Sequence, residues 1–398
     1  MPNRIRWEAV GLVVAFFVVH GVLALLAVTM PNQPIGDVEL AYRGWIERGQ
    51  HSGMWIGIDA PWVYPIAAMG PMLLAAAFGT DAMTPGWLAL MTLLDGFAVL
   101  ALWRHRVPVG RFRVRVSWWW LVFLLALGSI GVGRIDTPAT ALALVGVTLV
   151  AARPAIASAL FTLAAWIKVW PAVLVAVLVV LRRHHRVAVV GGALAVTGVV
   201  VLVDVLFGGA PYLLSFIGQQ TGRALQIESP LATPFMWAVT ARVPGAAVYY
   251  DQGINTFEVA GAGTHVAARL STPLMVLVVL AALVLGVRAV ADGVRRTEVA
   301  PLLAMVLVGA LVVTNKVGSP QYIGWYAVPI VWGLIAGAPS ARRFLPAAVA
   351  ALPMAFLTQL IYPSHYDRVL AATVDMVTVL TVRNALEVAL LVWAIVAL

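Results

Sequence analysis

The sequence predicts an all-α polytopic membrane protein, and two observations carry that expectation. The mean hydropathy is +0.95 over 398 residues that are 62% hydrophobic and 11% charged, too few polar side chains to cover a water-soluble surface. The apolar residues recur in runs of about 17–22, the length that crosses a bilayer core as a helix. No polar stretch is long enough to bury a core of its own. Residues 1–398 therefore read as a single integral-membrane domain of about 11–12 transmembrane helices, with external juxtamembrane helices and loops over roughly 30–86 and 208–269.

The net charge of +9 raises the possibility of a nucleic-acid partner, but its distribution points to a membrane topology. Sixteen of the 26 Lys and Arg fall in six short patches: Arg4/Arg6, Arg104 to Arg115, Arg153, Arg182 to Arg186, Arg288 with Arg295/Arg296, and Arg342/Arg343. Each flanks an apolar run, the signature of cytoplasmic loops. There is no cysteine, hence no disulfide framework. The N-terminal MPNRIRWEAV lacks a small-residue cleavage site and reads as a retained signal anchor.

Taken in order, the elements follow from that charge rule. A first span, about Trp7 to Thr29, runs outward and delivers QPIGDVELAYRGW (Gln33 to Trp45) to the external face. The stretch Tyr64 to Phe78 holds two prolines and a glycine and is short. If it spanned, the Arg104–Arg115 patch would lie outside, so it reads as a half-inserted or surface helix. Spans near Trp87–Trp103, Trp118–Gly131 and Pro138–Ala152 follow. Ala155–Leu181 begins and ends at cytoplasmic arginines and is too long for one span and too short for two. It reads as two half-helices meeting near Lys168 and Pro171, tolerable where they line a protein-walled cavity. Val187–Leu206 leads out to the long loop. Further spans are expected near Leu270–Val290, Ala300–Val313, Tyr322–Ala336, Phe344–Tyr362 and Val382–Leu398. This threading gathers Asp37, Glu39, Arg43, Arg134, Asp136, Lys168, Glu228, Lys316, Gln321 and His365 on the external face. Ionisable groups in so costly a setting are functional candidates.

Each candidate has a plainer alternative. Asp37 is placed to take a proton from an attacking hydroxyl, or to cap the helix that follows it. In GRIDT (Gly133 to Thr137), Arg134 offers a planar fork to phosphate and Asp136 is placed to orient it, or Asp136 and Thr137 cap the next helix. Lys168, in WIKVWP, sits mid-segment beside a helix-breaking proline, too deep to snorkel easily, and a lipid-linked phosphate would offset its cost. NKVGSPQYIGWY (Asn315 to Tyr326) puts Lys316, Gln321, Tyr322 and Trp325 at a turn, a set suited to holding a sugar. An interfacial aromatic belt explains only its aromatics. The piece Arg223 to Trp237, with Glu228, is too hydrophobic for a solvated loop and is expected over the external cavity. His365 is a lone external histidine, suited to a phosphate or to the interface. No P-loop, GxGxxG, HExxH or His/Cys cluster is present, so neither a nucleotide nor a zinc site is expected.

Together these motifs resemble the GT-C glycosyltransferases, specifically the polyprenyl-phosphate-mannose-dependent mannosyltransferases of glycosyltransferase family 87. The resemblance rests on Asp37 after the first span with Tyr42 five residues on, on Gly49 before the aromatic/Pro stretch to Pro65, on the Lys168-to-Pro171 break, and on the turn from Lys316 to Tyr326. Within that family the motifs resemble the actinobacterial members that extend phosphatidylinositol mannosides and lipomannan. Where the family usually has Tyr-Pro-Pro, this chain has Tyr64-Pro65-Ile66. Where relatives often carry Gly-Gln followed by Asn, it has Gly133-Arg134 and Asp136.

The resemblance implies a GT-C fold in the plasma membrane with its active site on the external side. It implies inverting transfer of mannose from a polyprenyl phosphate to a glycolipid acceptor, with Asp37 as general base and no cofactor or metal. Lys168, Arg134, Lys316 and His365 are then expected at the donor phosphate, and Tyr42, Arg43, Tyr64, Asp136, Glu228, Gln321, Tyr322 and Trp325 around the substrates. The partners are membrane lipids and not nucleic acid. A glycolipid flippase, for which Lys168 and Asp95 would be the intramembrane charges, is the alternative, as is another lipid-phosphate sugar such as arabinose.

Overall fold

A computed structural model describes residues 2–109, 112–181, 183–219 and 222–398. Arg111 and Arg182 of the basic patches lie outside the described residues. The protein is an all-α polytopic membrane protein. Among the described residues, seven helices are long and apolar enough to cross a bilayer.

The first long helix, α1 (Pro2–Thr29), leads to a six-residue π-helical turn, Asp37–Tyr42, that runs directly into α2 (Arg43–Ser52). A 3-10 turn at Ile66–Ala68 and α3 (Met69–Ala75) make ten helical residues. At about 15 Å they are too short to span, as expected for this stretch. After α4 (Met83–Leu102), strands β1 (Arg106–Val109) and β2 (Phe112–Arg115) form an antiparallel hairpin with Arg106 opposite Arg115. Then come α5 (Val116–Leu127), α6 (Asp136–Leu149), α7 (Pro154–Ile167), α8 (Ala172–Leu181) and α9 (Arg186–Leu206). The long loop carries α10 (Ser215–Gly218), α11 (Thr233–Thr240) and a second hairpin, β3 (Ala247–Asp251) with β4 (Thr256–Ala260). The chain closes with α12 (Thr264–Ala291), α13 (Arg296–Val313), α14 (Ile323–Ile335), α15 (Ala338–Gln359), α16 (Tyr366–Leu370) and α17 (Val374–Ala397).

The helix break expected near Lys168 is present. Lys168 is extended (φ −148°, ψ 124°), and α8 resumes only after Pro171. Pro171 lacks the N–H that would bond back to the Ile167 carbonyl and so cannot continue the ladder of α7. One boundary is corrected. The last span, expected from Val382, begins at Val374, because Asp375 is paired with Arg368 and Arg383 with Glu228 and Glu387, so the helix carries its charges in compensated form. The piece around Arg223–Trp237 packs Leu225, Ile227 and Met236 into a small second core with Ile361, Met376 and Leu380.

Five helices, α5, α6, α7, α8 and α14, have only 10–14 residues, about 15–21 Å against a hydrocarbon core of about 30 Å. One end of each adjoins a basic patch. Those patches gather at one end of the bundle: Glu8 of α1 takes Arg106 and Arg115, Arg343 reaches the Ala397 carbonyl, and His105, His184, His185 and Arg296 share one cavity. The opposite ends of the short helices therefore stop inside the bilayer thickness and leave a recess.

Within the bundle, Asp95 of α4 accepts the Trp120 indole N–H at 2.6 Å and lies 3.1 Å from His20 Nε2, and all three residues are buried. His20 Nδ1 is 2.9 Å from the Phe16 carbonyl and must donate to it, so the Nε2–carboxyl contact has to hold one further proton. Replacing Asp95 by alanine leaves the buried Trp120 indole N–H and the buried His20 Nε2 without a partner and is expected to cost about 3–5 kcal/mol of stability, read as a lower melting temperature in detergent. Asparagine, which can both donate to His20 and accept from Trp120, should recover most of it. Equal melting of the alanine variant and the wild type would show that the contact contributes nothing.

Candidate active site

The site forms where α1 hands over to the π-helical turn and where α6, α7 and α14 end in the recess. Asn32 and Gln33 adopt left-handed backbone (φ 59° and 48°), which swings the chain back over the helix ends. Asp37 does not cap the helix: it lies in the first turn, and no side-chain cap bond is made there. Its Oδ1 instead lies 2.5 Å from Arg134 Nη1, and Tyr42 Oη donates to its Oδ2 at 3.5 Å. Tyr42 is buried and also accepts the Ile135 N–H at 3.1 Å, tying the turn to the GRIDT loop. Gly133 allows that approach, since a Cβ there would sit 2.8 Å from the Pro34 carbonyl oxygen.

Two residues after Arg134, Asp136 opens α6 without capping it. It accepts the Trp325 indole N–H at 2.8 Å, and its other oxygen is 3.1 Å from Lys168 Nζ. Asp136 therefore orients Lys168, whereas Arg134, which the sequence paired with it, turns to Asp37. The result is two adjoining ion pairs, Asp37–Arg134 and Asp136–Lys168, neutral as a set. Burial pulls the Arg134 pKa down, and the Asp37 carboxylate together with Tyr362, Tyr42 and Tyr64 more than offsets it, holding the guanidinium above its ordinary range. Lys168 Nζ lies 4.9 Å from the centre of the Tyr64 ring and 5.9 Å from that of Tyr322. Trp325 stacks on Tyr322 at 4.0 Å and on Trp170 at 5.4 Å, forming an aromatic wall beside the cations.

The remaining candidates divide. Gln321 lines a cavity of about 20 Å³, room for one water, between Asp136 and the His20–Asp95 pair. Glu228 reaches the edge of the site but is held by Arg383, 3.5 Å away, which also donates to the Glu228 carbonyl at 2.8 Å. Arg43 is engaged outside the recess by Glu47 at 2.7 Å and Asp81 at 2.6 Å. Lys316 is buried beside Glu258 and Arg223, drawn into the loop because Gly318 lets its turn press on Ser229, where a Cβ would come within 2.2 Å. His365 is exposed, with Nδ1 3.1 Å from the Leu360 carbonyl. The sequence reading missed Tyr362. Its hydroxyl accepts from Arg134 at 3.1 Å and donates to the Asn32 carbonyl at 2.8 Å. A tyrosine ending an apolar run carries no local sign of that role.

Glu228 also couples this region to pH. Burial pushes its carboxyl up to about 7, against the pull of Arg383 and Arg134. The folded state thus keeps a proton that the unfolded chain releases near the ordinary value of about 4.3. Stability from this group is full below that value and is lost as pH rises through 7. Melting of the wild type should fall between pH 5 and 8 more steeply than melting of Glu228→Gln. Parallel curves would refute it.

Residues 62–320 match the family described as glycosyltransferase family 87, well over half of the chain. The chain belongs to glycosyltransferase family 87. A search of curated proteins finds no match. Family 87 membership makes this a membrane-embedded glycosyltransferase, and such an enzyme would draw on a lipid-linked sugar donor and an acceptor in the membrane. The family 87 match contains Tyr64, Arg134, Asp136, Lys168, Glu228 and Lys316, but stops short of Asp37 and Tyr42 on one side and of Gln321, Tyr322, Trp325, Tyr362 and His365 on the other. Only the folded geometry joins Asp37 and Tyr362 to Arg134, and Trp325 to Asp136.

Proposed function

We propose that this family 87 enzyme transfers a mannosyl residue from polyprenyl-phosphate-mannose to a glycolipid or lipoglycan acceptor, with inversion, at the outer face of the plasma membrane. The whole chain acts as one unit, with segments 30–86 and 208–269 over the recess. The outward direction of the recess is supported by the basic patches at the other end of the bundle.

One observation carries the chemistry. Of the two carboxylates in the ion-pair set, the Asp37 side chain is 38% exposed and that of Asp136 is 4% exposed. A general base must reach its proton, so Asp37 is the base and Asp136 positions Lys168. The acceptor oxygen attacks the anomeric carbon, its proton passes to Asp37, and the anomeric C–O bond breaks with its electron pair on the phosphate oxygen. Phosphate leaves without a general acid, so one carboxylate suffices, unlike the two of a glycosidase. Lys168 and Arg134 stabilise the charge developing on the leaving phosphate. Tyr64, Tyr322 and Trp325 offer ring faces to the sugar, with Gln321 nearby.

Purified enzyme given labelled polyprenyl-phosphate-mannose and a mannolipid acceptor should extend the lipid by one hexose of opposite anomeric configuration to the donor. Transfer from the arabinose-bearing donor in its place would overturn the sugar assignment. A product of retained configuration would overturn the mechanism.

A further inference from the structure

The far end of the bundle holds a second polar cavity that the transfer reaction does not use. It measures about 370 Å³ and lies between the ends of α6, α8 and α14, the start of α13 and the turn after α4. Its polar lining comprises His105, His184, His185, Arg296, Thr148 and Thr297, and among the described residues no carboxylate lines it. Aliphatic side chains of α6, α8, α13 and α14, with Trp332, form the rest of the wall.

Three features suit this cavity to an anion with an apolar attachment. His105 Nε2 is buried and has no hydrogen-bond partner. Among the described residues no carboxylate pairs with Arg296, whereas Arg295 beside it is taken by Glu298. His184 and His185 are exposed and so stand at the rim. The Thr148 hydroxyl donates to the Val145 carbonyl at 2.8 Å, which leaves the Arg296 fork, the imidazoles and the Thr297 hydroxyl as the donor set for a phosphate. The volume, near the lower end of the roughly 300–1,000 Å³ of small-molecule sites, admits a headgroup and not a whole lipid. Of the wall helices, α13 is long enough to cross the bilayer, so the apolar wall reaches membrane depth and can take the start of an acyl chain. Basic pockets between helices at a membrane surface bind anionic headgroups in this way. Thr148 is twelve residues along α6 from Asp136, about 18 Å, which separates this cavity from the ion-pair recess.

We infer that this cavity binds the phosphate headgroup of an anionic phospholipid from the adjoining leaflet, at a site distinct from the one where transfer occurs. The inference does not depend on which sugar is transferred. The test uses the full chain in phosphatidylcholine nanodiscs with and without phosphatidylglycerol, counting retained lipids by native mass spectrometry. Wild type should keep one phosphatidylglycerol in preference to phosphatidylcholine. Arg296→Gln combined with His105→Gln should retain it about tenfold less, the effect of losing charge-assisted hydrogen bonds. Ala336→Phe, which fills the cavity and leaves every charge in place, should do the same, so the result does not hang on one variant's folding. Undiminished retention in either variant that melts like wild type overturns the proposal. Displacement of the lipid by inorganic phosphate alone overturns its lipid source.

Discussion

Replacing Asp37 by asparagine is expected to lower kcat roughly 10²–10⁴-fold, the range that a positioned general base supplies. The substitution is chosen to spare the fold. Asparagine keeps a carbonyl oxygen that can still accept from Arg134 and gives up only the long 3.5 Å contact from Tyr42, which stays tied to the GRIDT loop through the Ile135 N–H, so the turn Asp37–Tyr42 stays docked. It cannot take up the acceptor's proton. Donor binding should change little, because the buried cations proposed to hold the phosphate remain, and KM should move far less than kcat. Turnover within a few-fold of wild type, in protein that melts normally, would remove Asp37 from the mechanism and leave it as a partner of Arg134 only.

The second large effect is expected at Lys168, where stability and catalysis can be separated. Lys168→Met leaves Asp136 buried with only the Trp325 indole to satisfy it. Stranding one member of a buried pair costs about 3–5 kcal/mol, so the single variant should melt markedly lower and show little transfer. Adding Asp136→Asn removes the uncompensated charge and should restore most of the lost stability. If Lys168 also neutralises the leaving phosphate, the double variant will fold and remain inactive. A stable double variant with wild-type turnover would reduce the Lys168–Asp136 pair to scaffolding.

The contrast between Lys168 and Arg43 shows what could be read from the chain and what could not. Both are cations at sites where charge is scarce. Lys168 beside Pro171 announces a helix break from local stereochemistry alone, and the break is present. Arg43 lies six residues from Asp37 and looked like part of the same site. It turns instead to Glu47, one helical turn further along its own helix, and to Asp81, because α2 directs it away from the recess. Glu228 is likewise drawn to Arg383 of α17, and Lys316 into the long loop beside Glu258 and Arg223. Tyr362, with no distinguishing neighbours, arrives at Arg134 from 228 residues away.

By itself the sequence determined the class, the alternation of apolar spans, the end of the bundle at which the basic patches collect, and the short list of polar groups at the other end. These follow from the cost of placing charge in hydrocarbon and from the local effect of proline, neither of which needs a partner to be known. Only the tertiary structure decided that Asp37 meets Arg134, that Asp136 meets Lys168 and Trp325, and that Asp37 alone of the two carboxylates is open. The pairing of the charges depends on where short helices of unequal length stop when packed side by side, and a difference of one helical turn, about 5.4 Å, separates an ion pair from no contact.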